Sequence, residues 1–513
     1  MKKNSKAFAL VLALLMLSQA AACSQSGTNN DDETKGGTPS ESTNENGGSS
    51  SSDEETETET ERIKPDIPET ADYGGDDIHF MSWNISFWED GAWKNRDIYA
   101  EGLTGEGIND AVYKRNQKIE TNYKVKIGLD IIEFSEIVNM VTKAGQSGDD
   151  TYDVVYPRLV EATTLFNNGS LINLHRIPNI DLSKPWWDSN CNDALTVEGY
   201  LPCIATSINI QDKDATAAMI FSKVDQEKYG FEDLYQTVRE GKWTIDKVAE
   251  IADATDDDLD GNGEMTPDDH FGFIGARDVM ESFYYGSGEQ HATKDESGTL
   301  GFSFGTERDF DICTKIVDMM NQPYFINSHT WDTNKFKDSM RVLFSQGAGT
   351  FLWIRLADVT TLRECDVDFG VLPIPKYEES QSDYYSMVSR HSTGLMTIPI
   401  SVKGDKLDEL GVVLEALAAE SHYTLIPEYI ETSLKTKHSR DAESGEMIDI
   451  IISNRVYDPI YIYNISQFSD DFLVLGDTDN PNLATLAKSK SKMIGKQLDK
   501  LSKTFAGYVE AGN

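Results

Sequence analysis

The stretch DDDLDGNGEMTPDD, residues 256–269, holds seven acids and two glycines, and like charges this close repel one another unless a cation or water intervenes. In the register of an EF-hand calcium loop, Asp258 takes position 1, Asp260 position 3, Asn262 position 5, Gly263 the sharp turn, Glu264 position 7 through its carbonyl, and Asp269 position 12. Calcium suits this set because it accepts about six to eight hard oxygens in flexible geometry. Asp in place of Glu at position 12 shortens the bidentate reach. The following HFGFIG (270–275) reads as a strand, so the loop would be a structural clip and not a signalling hand. The alternative is a solvated acidic turn.

A second constellation is aromatic. Trp83, Trp88 and Trp93 follow an expected strand, Trp186, Trp187 and Asp188 sit beside a proline, and Trp353 lies two residues before Arg355. Flat rings bury the C–H faces of a sugar, while Asp, Asn and Arg serve its hydroxyls. Tyr156 and Arg158 belong with them, because they end an expected parallel strand, the edge at which open α/β sheets bind ligands. Ordinary packing is the alternative for each ring, and the Trp186–Trp187 pair could be a plug between elements. HExxH, GxSxG and P-loop motifs are all missing from the sequence, as is any zinc-like Cys/His spacing. The rings with their polar companions point to capture of a sugar, and no catalytic residue is assigned. A polysaccharide-acting enzyme with two carboxylates is the competing class, and a non-transporting sugar-binding surface protein is a third.

Elements to position these residues are legible along most of the chain. IHFMSWNI (78–85), KVKIGLDII (124–132) and YDVVYPRL (152–159) read as strands. They are separated by helical patterns after Asn109 and from Ser135 to Gly145. This β-α-β-α-β order predicts a parallel sheet with right-handed crossovers. Thr244 is placed to cap a helix running to Thr255. Residues 342–362 read as helix end, strand and helix, 365–376 and 395–400 as strands, and 408–421 and 483–508 as helices.

The N-terminus carries Lys2, Lys3 and Lys6 ahead of an apolar run from Ala7 to Leu17, then small residues and Cys23. That is the layout of a secretory signal, too short to span a bilayer. Ala20-Ala21-Ala22-Cys23 resembles the lipobox of bacterial lipoproteins, which implies that a palmitate-bearing lipid is attached at Cys23. From Ser24 to about residue 75 the chain is Ser, Thr, Asn, Gly and Glu, too poor in apolar groups to offset its ordering entropy. It reads as a tether with a reach of roughly 40 Å. Cys191 and Cys203 are spaced for a small disulfide loop or are buried free thiols. The formal charge of −41 repels phosphate backbones, so nucleic acid is excluded as a partner.

Several segments in order, YDVVYPRLVEATTLFNNGSLINL (152–174), DLSKPWWD (181–188), KYGFEDLYQTVREGKWTIDKVAEIA (228–252), FSQGAGTFLW (344–353) and DFGVLPIPKYEESQSDYYS (368–386), resemble the family 1 extracellular solute-binding proteins. These are the maltose-binding-like receptors of ABC importers. The resemblance implies an α/β, two-lobed periplasmic-binding-protein-like fold of type II with a hinge. Its lobes would be 76–210 with 373–430, and 211–372 with 431–513, after a 1–23 signal and a 24–75 tether. It implies crossings near Ser207–Thr216 and Leu372–Lys376. It further implies a monomer, anchored by lipid on the outer face of the cell membrane, that delivers a carbohydrate, an oligosaccharide above all, to permease transmembrane subunits. On the same ground Trp353 and Arg355 would touch ligand.

Overall fold

Short β-branched runs alternating with amphipathic helices build two open sheets. The computed structural model describes residues 62–88, 93–296, 298–333, 339–362, 365–434 and 442–512. β1 (Asp76–Trp83), β2 (Val125–Ile132) and β3 (Val154–Tyr156) form the first sheet, parallel throughout in the order β2-β1-β3. Helices Gly107–Tyr123 and Phe134–Ser147 make the crossovers. The second sheet takes β4 (Ala217–Ser222) and β5 (Phe271–Gly275). After a hairpin of β6 (Ala292–Lys294) and β7 (Leu300–Phe302), it adds β8 (Phe325–Asn327), β9 (Gly349–Arg355) and β10 (Phe369–Leu372). Its order is β10-β4-β9-β5-β8.

The two sheets share one plan. In the second, β8, β5 and β9 run parallel, β4 is antiparallel beside β9, and β10 is antiparallel beside β4. In the first, residues 394–400 run antiparallel beside β3 through the Val155–Thr397 bridge, and Ile204 bridges Met396 on their far side. β4 and residues 394–400 are thus the strands by which the chain enters each lobe from the other. Residues 395–400 were expected as a strand and pair only through isolated bridges; Pro399 has no N–H to donate.

Local signals largely decide the boundaries. Thr244 accepts from Lys247 N and caps Ile245–Thr255. Ser135 does not open its helix, which begins at Phe134 after Glu133. The strand expected over 152–159 shrinks to β3 because Pro157 follows it directly.

The first crossing passes through a buried helical turn, Gln211–Asp214. The return crossing runs beside it, with Val388 bridging Thr216 and Ser389 N donating to Ala215 O at 3.0 Å. It therefore lies at Val388–Gly394 and not at Leu372–Lys376. Residues 373–385, expected in the first lobe, pack on second-lobe elements. Trp243 Nε1 donates to Pro373 O at 2.9 Å, Ile245 N to Lys376 O at 2.9 Å, and Tyr384 Oη to Val238 O at 3.0 Å. β11 (Ser386–Met387) then pairs with β12 (Arg455–Val456) behind the hinge. Helix Leu425–Leu434 packs on the first-lobe helix Gly107–Tyr123 through Leu425 and Tyr429. Helix Leu483–Glu510 reaches the first lobe at its far end, with Phe505 4.8 Å from the Tyr200 ring and Tyr508 Oη donating to Asn167 O. No helix among the described residues is long and apolar enough to cross a membrane.

Candidate functional site

Strand direction locates the cleft. Residues 394–400 begin at the C-terminal end of β3, where Arg158 bridges Gly394, and β4 begins at the C-terminal end of β9, where Ala217 pairs with Arg355. Both crossings therefore meet the carboxyl edges of the parallel strands, and these edges face one another across the hinge. A cavity of about 170 Å³ lies there, lined by Trp93 from the first half, Ser392 from the return crossing, and Arg341, Trp353, Arg355 and Asp358 from the second lobe. A larger hollow of about 840 Å³ is walled by charged side chains such as Glu240, Lys247 and Glu250, outside helix Ile245–Thr255. It touches neither crossing, so the smaller cavity is the candidate site.

Two walls flank it. On the second lobe, Trp353 Nε1 donates to Ser282 Oγ at 3.1 Å, and the Arg355 guanidinium lies 5.1 Å from the Trp353 ring centroid. Asp278 Oδ1 accepts from Arg355 Nη2 at 2.9 Å, and Asp358 accepts both from Arg355 N at 3.0 Å and from Arg341 Nη1 at 2.5 Å. On the first lobe, Trp83 Nε1 donates to Gln211 Oε1 at 3.0 Å, an oxygen that also accepts from Gly394 N. One buried hinge glutamine thus ties β1 to both crossings. Arg158 sits over Phe134 at 4.1 Å and over Trp83 at 5.9 Å, and pairs with Glu161. Across the floor runs the return crossing. Its His391 has a pKa pushed down to about 4, by burial first and then by Arg390. At neutral pH its ring is therefore uncharged and able both to donate and to accept.

No protein-family model matches this sequence, and no curated protein matches it. Solved structures do. A cyclo/maltodextrin-binding protein complexed with maltotetraose is 14% identical with a TM-score of 0.53, covering 83% of this chain and 98% of that one. A cyclic alpha-maltosyl-1,6-maltose binding protein from Arthrobacter globiformis is 12% identical with a TM-score of 0.53, over 83% and 100% of the two chains. UspC of M. tuberculosis is 12% identical with a TM-score of 0.51, over 82% and 99%. The fold is the two-lobed periplasmic-binding type. Binding proteins of this fold hold their guests between lobes that close about a hinge, and the first two neighbours are named as binding proteins.

Within that binding-protein fold, the residues expected to meet ligand divide. Trp353 and Arg355 line the cavity, and Arg158 stands at the facing strand edge. Trp83 ends β1 at the same edge but is fully buried, and Tyr156 is fully buried beneath, stacked with Phe80. The side chain of Trp88 and all of Cys23 lie outside the described residues. Trp186, Trp187 and Asp188 are corrected: none of them lines the cavity at the strand edges, and the two buried indoles form the plug. Both indole nitrogens donate to the carboxylate of buried Glu415 on helix Asp405–Tyr423, at 3.1 and 2.8 Å. Asp188 caps helix Ser189–Leu195 and pairs with buried Arg455. Burial would raise the Asp188 pKa, but Arg455 and the Cys191 N–H hold it below the usual carboxylate range. Cys191 and Cys203 are free buried thiols.

Sequence reasoning missed Asp278, Arg341, Asp358, His391 and Ser392. The only local signal was the polar run SRHSTG (389–394) inside an otherwise apolar stretch.

In the acidic loop, carboxylate oxygens of Asp258, Asp260 and Asp269 come within 4.8 Å of one another. Gly263 has a φ of 81°, and its N–H donates to Asp258. Asn262 Nδ2 donates to Asp260, bringing a fourth side chain to the group, and Asp269 is buried while accepting from Leu259 N and Thr266 N. Three converging carboxylates fit a hard divalent cation, with Glu264 able to add its carbonyl.

Proposed function

We propose that this chain is a lipid-anchored receptor on the outer face of the cell membrane. It captures a carbohydrate, an oligosaccharide above all, between its lobes and hands it to the permease of an ABC importer. The observation that carries the reading is the opposition of two strand edges across the paired crossings, with Trp353, Arg355 and Arg158 on the facing walls. The similar folds bound to maltotetraose or named for cyclic maltose-type ligands support the ligand class. The signal-like N-terminus ending at Cys23 supports the anchor. A thermal-shift screen of a glycan library against the purified chain is the test. A ligand at about a hundred times its Kd adds roughly 2.7 kcal/mol and raises the melting temperature, and the glycan is recovered intact. A library with no stabilising member, or one cleaved on incubation, refutes the reading.

The acidic loop is proposed as a structural calcium site held by Asp258, Asp260, Asn262, Glu264 and Asp269. It would clip the end of helix Ile245–Thr255 to β5. Chelation followed by calorimetry is expected to lower the melting temperature, and restored calcium to recover it. An identical melt after chelation would leave only an acidic turn.

A further inference from the structure

The two cleft walls repeat one arrangement. On the first, Trp83 ends β1, the guanidinium of Arg158 lies over its ring, and Glu161, in the first turn of helix Leu159–Asn168, accepts from Arg158 Nε at 2.7 Å. On the second, Trp353 lies near the end of β9, the guanidinium of Arg355 lies over its ring, and Asp278, the first residue of helix Asp278–Gly286, accepts from Arg355 Nη2 at 2.9 Å. The indoles are 0% and 3% exposed, whereas the arginine side chains keep 16% and 23%. A guest entering the cleft meets guanidinium edges and carboxylates before any ring face. A third pair, Arg341 with Asp358, lines the same cavity.

We propose that these arginine–carboxylate pairs, seated on buried indoles, are the ligand-contacting groups, and that Asp278 and Glu161 determine specificity by keeping the walls charge-neutral, so that an uncharged polyhydroxylated ligand is preferred over an anionic one. The inference rests on the sugar-binding reading and names the charge class of the sugar. A guanidinium offers only donors and a carboxylate only acceptors. A paired hydroxyl group of a sugar needs both, and each pair supplies both side by side. The carboxylate of a uronate or the phosphate of a sugar phosphate only accepts. It would find the guanidinium donors shared and a carboxylate beside them, within a chain of formal charge −41. While paired with Asp278, the Arg355 side chain keeps 23% of its surface exposed, so an uncharged oxygen can be met without breaking the Asp278 pair.

The test is calorimetric titration of the chain with the neutral glycan that stabilises it best and with the same glycan oxidised to the uronate. The unaltered chain is expected to prefer the neutral form. Asp278→Asn is expected to narrow that preference by about tenfold, chiefly through tighter uronate binding, because Arg355 is then left with an uncompensated charge. Glu161→Gln repeats the test from the opposite lobe, and Asp278→Glu is expected to restore the original ratio. A chain that prefers the uronate, or an unchanged ratio in both charge-removing variants, overturns the proposal while leaving sugar binding standing. Failure of the unaltered chain to bind any glycan overturns the sugar-binding reading itself.

Discussion

Replacing Trp186 with phenylalanine separates the two roles that a tryptophan pair can play in this fold. Glu415 is 0% exposed, and its carboxylate accepts from Trp187 Nε1 at 2.8 Å, Trp186 Nε1 at 3.1 Å and Asp181 N at 3.3 Å. Burial raises its pKa, and the two indoles oppose that rise. Trp186→Phe deletes one of the three donors while keeping most of the ring volume. A hydrogen bond to a buried charged group is worth about 1.5–3 kcal/mol, and the smaller ring adds a modest cavity cost, giving roughly 2–4 kcal/mol in all. Against a typical total of about 5–15 kcal/mol, the variant still folds. Urea denaturation followed by far-UV circular dichroism should show a lower midpoint with an unchanged slope, and glycan affinity of the folded variant should match the parent. A parental midpoint combined with a tenfold or greater loss of affinity would refute the plug and put Trp186 back among the ligand contacts.

Two further outcomes follow from buried titratable groups. His291 is enclosed by Tyr284, Phe304, Phe468 and Phe472, has no hydrogen bond at either ring nitrogen, and has its pKa pushed down to about 3 by burial. The folded state holds it neutral, so its contribution is complete above the unfolded value near 6.5 and is lost as pH falls toward 3, at about 1.4 kcal/mol per unit. Melting temperature against pH should therefore fall less steeply for His291→Phe over that window, and parallel curves would dismiss the effect. Arg455→Met strips the cation from Asp188 and one of two cations from buried Asp212, which keeps Lys213, at about 3–5 kcal/mol. Adding Asp188→Asn should return part of the lost melting temperature, and a double variant no better than the single would contradict the pairing.

Much of the fold was readable because its signals are local. Apolar runs announced β1, β2 and β9, and Thr244 announced its helix. A strand end then placed Arg158 at the carboxyl edge of the first sheet, and the family resemblance singled out Arg355, which lies at the facing edge of the second. What escaped depends on partners far apart in the chain. Nothing near Trp186 reveals Glu415, 229 residues on, and nothing near Arg355 reveals Asp278, 77 residues back. The return crossing was misplaced because Pro373 and Pro375 look like the end of a sheet. Yet the chain beyond them keeps packing on Trp243 and Val238 before it leaves the second lobe.

The shared plan of the sheets has a consequence for how the polypeptide comes into being. When synthesis has passed residue 210, β1, β2 and β3 exist, but the neighbour that covers the flank of β3 is made only at residues 394–400. Until then that flank offers unpaired backbone groups, and the amino-terminal half cannot complete its own architecture. Cutting the gene between the lobes would yield two incomplete fragments instead of two working modules.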